Sequence, residues 1–122
     1  MIGYRHKTQE LEMTHYKREF GEDFNLGFNL ADFPWLTDKS WHNDVSPSFT
    51  FKADSQYLVL WVDYEEHDSR ELGQERYLVM TAINEGTEAD PEIYTGEDSE
   101  VVLATESPSE LTAYLRQLAS AH

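Results

Sequence analysis

The densest group of chemically capable side chains in the sequence is Trp41-His42-Asn43-Asp44, with Trp35 upstream and Ser46 and Ser48 downstream. His42 and Asp44 stand two apart, so an extended backbone turns both toward one point. A histidine–carboxylate pair can orient a general base or contribute to a divalent-ion site. A single His with a single Asp is too few ligands for a metal. The same residues also make ordinary loop chemistry, with Asn43 and Asp44 bonding their own backbone and Trp41 anchoring the loop in the core. A second group, Asp63-Tyr64-Glu65-Glu66-His67-Asp68, closes what reads as a central strand, and loops at strand ends often carry sites. The loop bearing Trp41 to Asp44 leads into the strand at Phe49, which would place it beside Asp63. His42, Asp44, Asp63 and His67 together would suit a hard divalent ion such as Mg²⁺ or Mn²⁺, although the spacing does not demand one. Trp35, Trp41 and Trp61 add aromatic faces for stacking or cation–π contact.

Other chemistries are excluded. The sequence holds no cysteine, so disulfides, thiolate metal sites and a cysteine nucleophile are ruled out. It has no Gly-x-Gly-x-x-Gly or Walker-type loop to cradle phosphate, no Gly-x-Ser-x-Gly elbow and no His-Glu-x-x-His helix. The adjacent pairs Glu65/Glu66 and Glu97/Asp98 would point to opposite faces of a strand, which suits them poorly to paired acid–base work. No cofactor is expected.

Charge sets the partner class. Lys and Arg total 9 against 24 Asp and Glu, a formal balance of −15, and residues 61–122 alone carry fifteen acids against Arg70, Arg76 and Arg116. Such a surface repels phosphate and anionic lipid, so neither direct nucleic-acid binding nor membrane binding is expected. A basic protein partner or a small cationic ligand is compatible. The acidic stretches Glu85–Asp90 and Glu92–Glu100 could imitate a nucleic-acid backbone, about one charge per 1.7 Å of duplex; the plain alternative is that the acids only keep the protein dispersed. Met1 to Glu10 lacks the apolar core of a secretory signal, and the longest apolar run, Tyr57 to Val62, has strand length, so a cytoplasmic location is expected.

These residues must be positioned by a fold, and 122 residues read as one acidic α+β domain spanning 1–122. Met13, Tyr16 and Phe20 fall at helical spacing, which predicts a helix over Thr8 to Phe20 stopped by Gly21. Phe24, Leu26, Phe28 and Leu30 alternate with polar residues and read as a strand or extended segment. Ala31 to Pro47 has turn chemistry but carries Phe33, Trp35, Leu36 and Trp41, so it should pack down on the domain. Strands follow at Ser48–Lys52, Tyr57–Tyr64, Arg76–Ile83, Glu92–Thr95 and Val101–Thr105. The second and third are apolar on both faces, as central strands are. Ser107-Pro108-Ser109-Glu110 is a capping box, with Glu110 reaching back to the cap, opening an amphipathic helix from Pro108 to about Ala119. The short connections between strands leave no room for crossovers. The expected architecture is therefore an antiparallel β-meander of four to six strands, packed with an N-terminal and a capped C-terminal helix. Two helices on one side of a sheet with both faces apolar would leave one face to explain.

The functional expectation is a non-enzymatic binding or interaction module, engaging a basic protein surface or a cationic or aromatic ligand through Trp35, Trp41, His42, Asp44, Trp61 and Asp63. The alternatives are a small metal-assisted enzyme using His42, Asp44 and Asp63, and a structural homo-oligomer, with a homodimer burying the open apolar side. In general style the chain resembles small bacterial accessory proteins, such as immunity proteins and phage- or plasmid-encoded inhibitors, a likeness that covers no motif.

Overall fold

Backbone pairing runs outward from two long central strands. The computed structural model describes residues 15–42, 44–71 and 74–120, and among them an antiparallel sheet of six strands forms. These are β1 (Thr37–Asp38), β2 (Ser48–Ala53), β3 (Gln56–Val62), β4 (Tyr77–Asn84), β5 (Ile93–Tyr94) and β6 (Val101–Thr105). The spatial order is β1-β2-β3-β4, with β5 and β6 both pairing along the far edge of β4. The architecture is the expected α+β one. A two-residue turn, in which Asp54 takes φ 57°, joins β2 to β3 and sets the register at Phe49↔Leu60 and Phe51↔Leu58.

The alternation of side chains sorts the sheet into two different faces. On the first, Phe49, Phe51, Leu58, Leu60, Val62, Tyr77 and Val79 are buried in one cluster. Both helices cover this face: α1 (His15–Phe20) through Tyr16, and α2 (Pro108–Ser120) through Leu111 and Leu115. Each leucine so buried is worth about 1.5–3 kcal/mol. Residues 8–14 of the predicted N-terminal helix lie outside the described residues. Gly21, at φ 113°, ends α1 as its spacing predicts, its N–H donating to the Lys17 carbonyl at 2.9 Å.

Two local expectations are corrected. Phe24 to Leu30 forms no strand: Leu26 is buried and Phe24, Phe28 and Leu30 pack against the core, but the backbone turns at Gly27, φ 86°. Side chains replace ladder partners here. The Tyr77 hydroxyl donates to the Leu26 carbonyl at 2.6 Å, and Arg76 Nη2 donates to that of Asn25 at 2.7 Å. A Cβ at Gly27 would collide with the Tyr77 hydroxyl. The second correction concerns the cap of α2. Ser107 Oγ accepts from the Glu110 amide at 3.2 Å as predicted, but the Glu110 carboxylate accepts from the Thr105 hydroxyl rather than from the cap amide. Ser107 N instead donates to Thr105 Oγ1 at 3.0 Å, so the last residue of β6 joins the cap.

The long connection between β3 and β4 is organised by one buried cation. Arg70 uses Nε on the Tyr64 carbonyl (2.7 Å), Nη1 on that of Gln74 (3.1 Å) and Nη2 on that of Glu65 (3.0 Å). Its two terminal nitrogens also hold both oxygens of Glu106, at 2.8 and 3.0 Å. Every guanidinium N–H is thereby placed, and the connection is clamped to the end of β6.

Candidate functional site

The second face of the sheet carries no helix among the described residues. Ser48 and Thr50 of β2, Val59 and Trp61 of β3, and Leu78 and Met80 of β4 point to it, and Asp63 continues the alternation just past β3. Two irregular segments border it. One is the loop from Lys39 to Pro47; the other is Pro91 to Thr95, which includes β5 and folds over from the far edge. Between them lie two adjoining hollows that share Trp61 and Asp44. The first, about 330 Å³, is lined by Asp44, Val45, Trp61, Asp63, Leu78 and Met80, among others. The second, about 480 Å³, is bounded by Trp41, Asp44, Val59, Trp61, Ile93 and Tyr94, among others. Trp41 and Tyr94 are 53% and 51% exposed, unusual for residues with so much apolar area to hide.

The Lys39–Pro47 loop is held by bonds that its composition explains. Asp38 accepts from Ser40 N (3.1 Å) and from Tyr16 N at the start of α1 (2.9 Å). Ser48 N donates to Ser40 Oγ at 3.1 Å, and the Pro47 carbonyl accepts from Val62 N at 3.0 Å. Asp44 N closes a turn on the Trp41 carbonyl at 2.9 Å. His42 is drawn outward: its ring Nδ1 lies 2.7 Å from Glu19 Oε1, which also accepts from His42 N at 3.1 Å. This ring contact holds the Glu19 carboxyl below its usual range, helped by the His42 backbone N–H. The loop is thus tied to α1, beyond the sheet edge.

Electrostatically the two hollows are acidic. Four carboxylates line them (Asp44, Asp63, Glu75, Glu92) against Lys39 and Arg76. Arg76 is already engaged with the Asn25 carbonyl, and its guanidinium packs 5.2 Å from the centre of the Tyr77 ring. Asp63 is only 7% exposed. Its Oδ1 accepts from Tyr64 N at 2.8 Å, and among the described residues Oδ2 has no hydrogen-bond partner and the carboxylate no ion pair. Burial pushes the Asp63 carboxyl above its ordinary range, opposed by the Tyr64 N–H and by Arg70 and reinforced by Glu71 and Glu106. Burial also raises Asp44.

Of the residues singled out from sequence, Trp41, Asp44, Trp61 and Asp63 therefore meet on one surface. Trp35 does not. It lies on the helix-bearing face, in edge contact with Phe33 (5.9 Å) and Phe51 (5.4 Å). Nor does Trp41 anchor its loop in the core, since it is largely exposed; Phe33, Leu36 and Pro47 are the buried apolar residues of that segment. His42 faces Glu19, and exposed His67 lies 3.8 Å from Glu106. Among the described residues no three metal-ligating side chains come together. Val45, Leu78, Met80, Ile93 and Tyr94 were not singled out. The signal for Leu78 and Met80 was the apolar character of β4 on both sides. Nothing in residues 91–95 foretells that they fold over the sheet.

Fold and site together define an α+β protein whose sheet, among the described residues, has one helix-covered face and one open, acid-rimmed aromatic face. No protein-family model, curated protein or solved structure matches the chain. No helix among the described residues is long and apolar enough to cross a membrane.

Proposed function

We propose that the protein is a non-enzymatic interaction module whose open sheet face docks a basic protein surface. The observation that supports this best is the convergence of Trp41, Tyr94 and Trp61 with Asp44 and Asp63 on the face that no helix covers among the described residues. Exposed aromatic side chains contribute area and cation–π contact, while the carboxylates steer a cationic partner toward them. The same acids oppose nucleic acid as a direct partner.

An oligo-arginine peptide titrated against the intrinsic tryptophan fluorescence tests this. Binding weakens about tenfold between roughly 50 and 500 mM NaCl. A Trp41→Ala/Tyr94→Ala variant binds several-fold more weakly, while Glu97→Gln/Asp98→Asn, which removes charge outside both hollows, has little effect. Equal weakening by the two variants, or wild-type binding by the Trp41/Tyr94 variant, would leave bulk negative charge as the cause and overturn the reading.

A further inference from the structure

The smaller hollow contains an arrangement the wider face does not need. Asp63 sits at its base, nine-tenths buried, with one carboxylate oxygen unpartnered among the described residues. That oxygen is not sealed from solvent, and although the charge of Arg70 acts on the carboxylate, Oδ2 is left as an acceptor open to a group entering the hollow. Arg76, which lines the hollow just before β4, directs Nη2 to the Asn25 carbonyl while its buried Nε has no hydrogen-bond partner among the described residues, and Arg70 is committed to Glu106 and three carbonyls. A second carboxylate, Asp44, lies at the junction of the two hollows. The walls are the half-buried indole of Trp61 with Leu78, Met80 and Val45.

We propose that this hollow receives one arginine side chain of the partner protein, with Asp63 and Asp44 accepting guanidinium N–H groups and Trp61 stacking on its plane. A guanidinium suits the site better than an ammonium. It is planar, more weakly hydrated and tolerant of an aromatic wall, and its N–H groups diverge enough to reach two carboxylates at once. The cavity of about 330 Å³ accommodates the guanidinium and part of its methylene stem, which would lie along Leu78 and Met80. The assignment rests on the docking-face reading and narrows it to an anchor residue.

The test uses the full chain and two probes, N-acetyl-arginine amide and its neutral isostere N-acetyl-citrulline amide, followed by chemical-shift perturbation. The arginine probe binds weakly and saturably, shifting the Trp61 indole N–H and the Met80 methyl, while citrulline does not bind. Asp63→Asn weakens the arginine probe at least about tenfold, the effect expected when one partner of a desolvated charge pair is lost. Asp44→Asn weakens it several-fold. Asparagine can still accept from Tyr64 N, so the variant keeps the local backbone bond, and an unchanged amide spectrum elsewhere confirms that it folds. Equal binding of citrulline, or undiminished arginine binding by Asp63→Asn, overturns the pocket. If oligo-arginine still depends on Trp41 and Tyr94 in that event, the wider face stands without its anchor. If the peptide ignores Trp41 and Tyr94 while the blocked arginine still needs Asp63, the pocket stands and the wider face falls.

Discussion

Asp63 is the residue on which stability and proposed binding pull in opposite directions. Burial makes the folded chain hold its proton more tightly than the unfolded chain does. Its contribution to stability is therefore fully present at pH below the unfolded carboxylate pKa and is lost as pH rises through the raised folded value. At neutral pH Asp63→Asn should accordingly stabilise the protein, by up to about 1 kcal/mol, even as it removes the acceptor for a cation. Urea denaturation at pH 7 checks this; a clear loss of stability would show that the charge is compensated in the fold. Binding has the opposite sign. As pH falls, Asp63 and Asp44 protonate earlier than exposed carboxylates do, because both are raised by burial. Arg70, Glu71 and Glu106 also act on Asp63, and since Glu106 is held low by Arg70, it stays charged through this range. Affinity for the arginine probe should thus decline above the ordinary aspartate range, with the decline absent in a doubly amidated Asp44→Asn/Asp63→Asn variant.

At the level of elements, the connection between β3 and β4 decides whether Asp63 is held in place. That segment has little apolar content to fold it, and Arg70 substitutes for a core by collecting carbonyls and both oxygens of Glu106. Arg70→Ala would leave those carbonyls without their donor and, among the described residues, the Glu106 carboxylate with only the Arg76 N–H as hydrogen-bond donor, 3.1 Å from Oε2, and should destabilise the protein by about 3 kcal/mol, measured as a lowered denaturation midpoint. Glu106→Gln should cost less, because Glu106 is half exposed and its amide can still accept. The Arg70 hydrogen bond holds the Glu106 carboxyl below its usual range, so its stabilisation is present above the unfolded pKa and disappears as pH drops through the lowered one. A Glu106→Gln variant with an unchanged pH–stability profile would contradict that assignment.

For the whole molecule, the same charge that would attract a basic partner should keep copies of the chain apart. A balance of −15 on 122 residues opposes apposition of two open faces, each lined by Asp44, Asp63, Glu75 and Glu92. Light scattering at micromolar concentration and low salt should give a mass near that of one chain, with self-association emerging at high salt as the repulsion is screened and Trp41 and Tyr94 find each other. A stable dimer at low salt would instead favour a homo-oligomer burying the open face, and would remove the basis for a foreign partner there.

The parts of this structure written in local sequence are those governed by periodicity and short-range chemistry. β2, β3 and β4 declare themselves by apolar residues at a period of two, α2 by its cap and leucine stripe, and the antiparallel order by connections too short for crossovers. Proximity of Asp63 to the Trp41–Asp44 loop was legible for the same reason, since that loop feeds the strand pairing with β3. What periodicity could not supply was the direction of each irregular segment. Phe24 to Leu30 has the alternation of a strand, yet the Tyr77 hydroxyl and Arg76 guanidinium, about fifty residues away, satisfy its carbonyls and leave it unpaired. Trp35 and Trp41 are six apart and alike in type, but the chain crosses the sheet edge between them, so one packs on Phe51 and the other stands open. The β1–β2 pairing between the two tryptophans and the packing of Trp35 on Phe51 join residues distant in the chain, which is why local sequence could not tell which face each would meet.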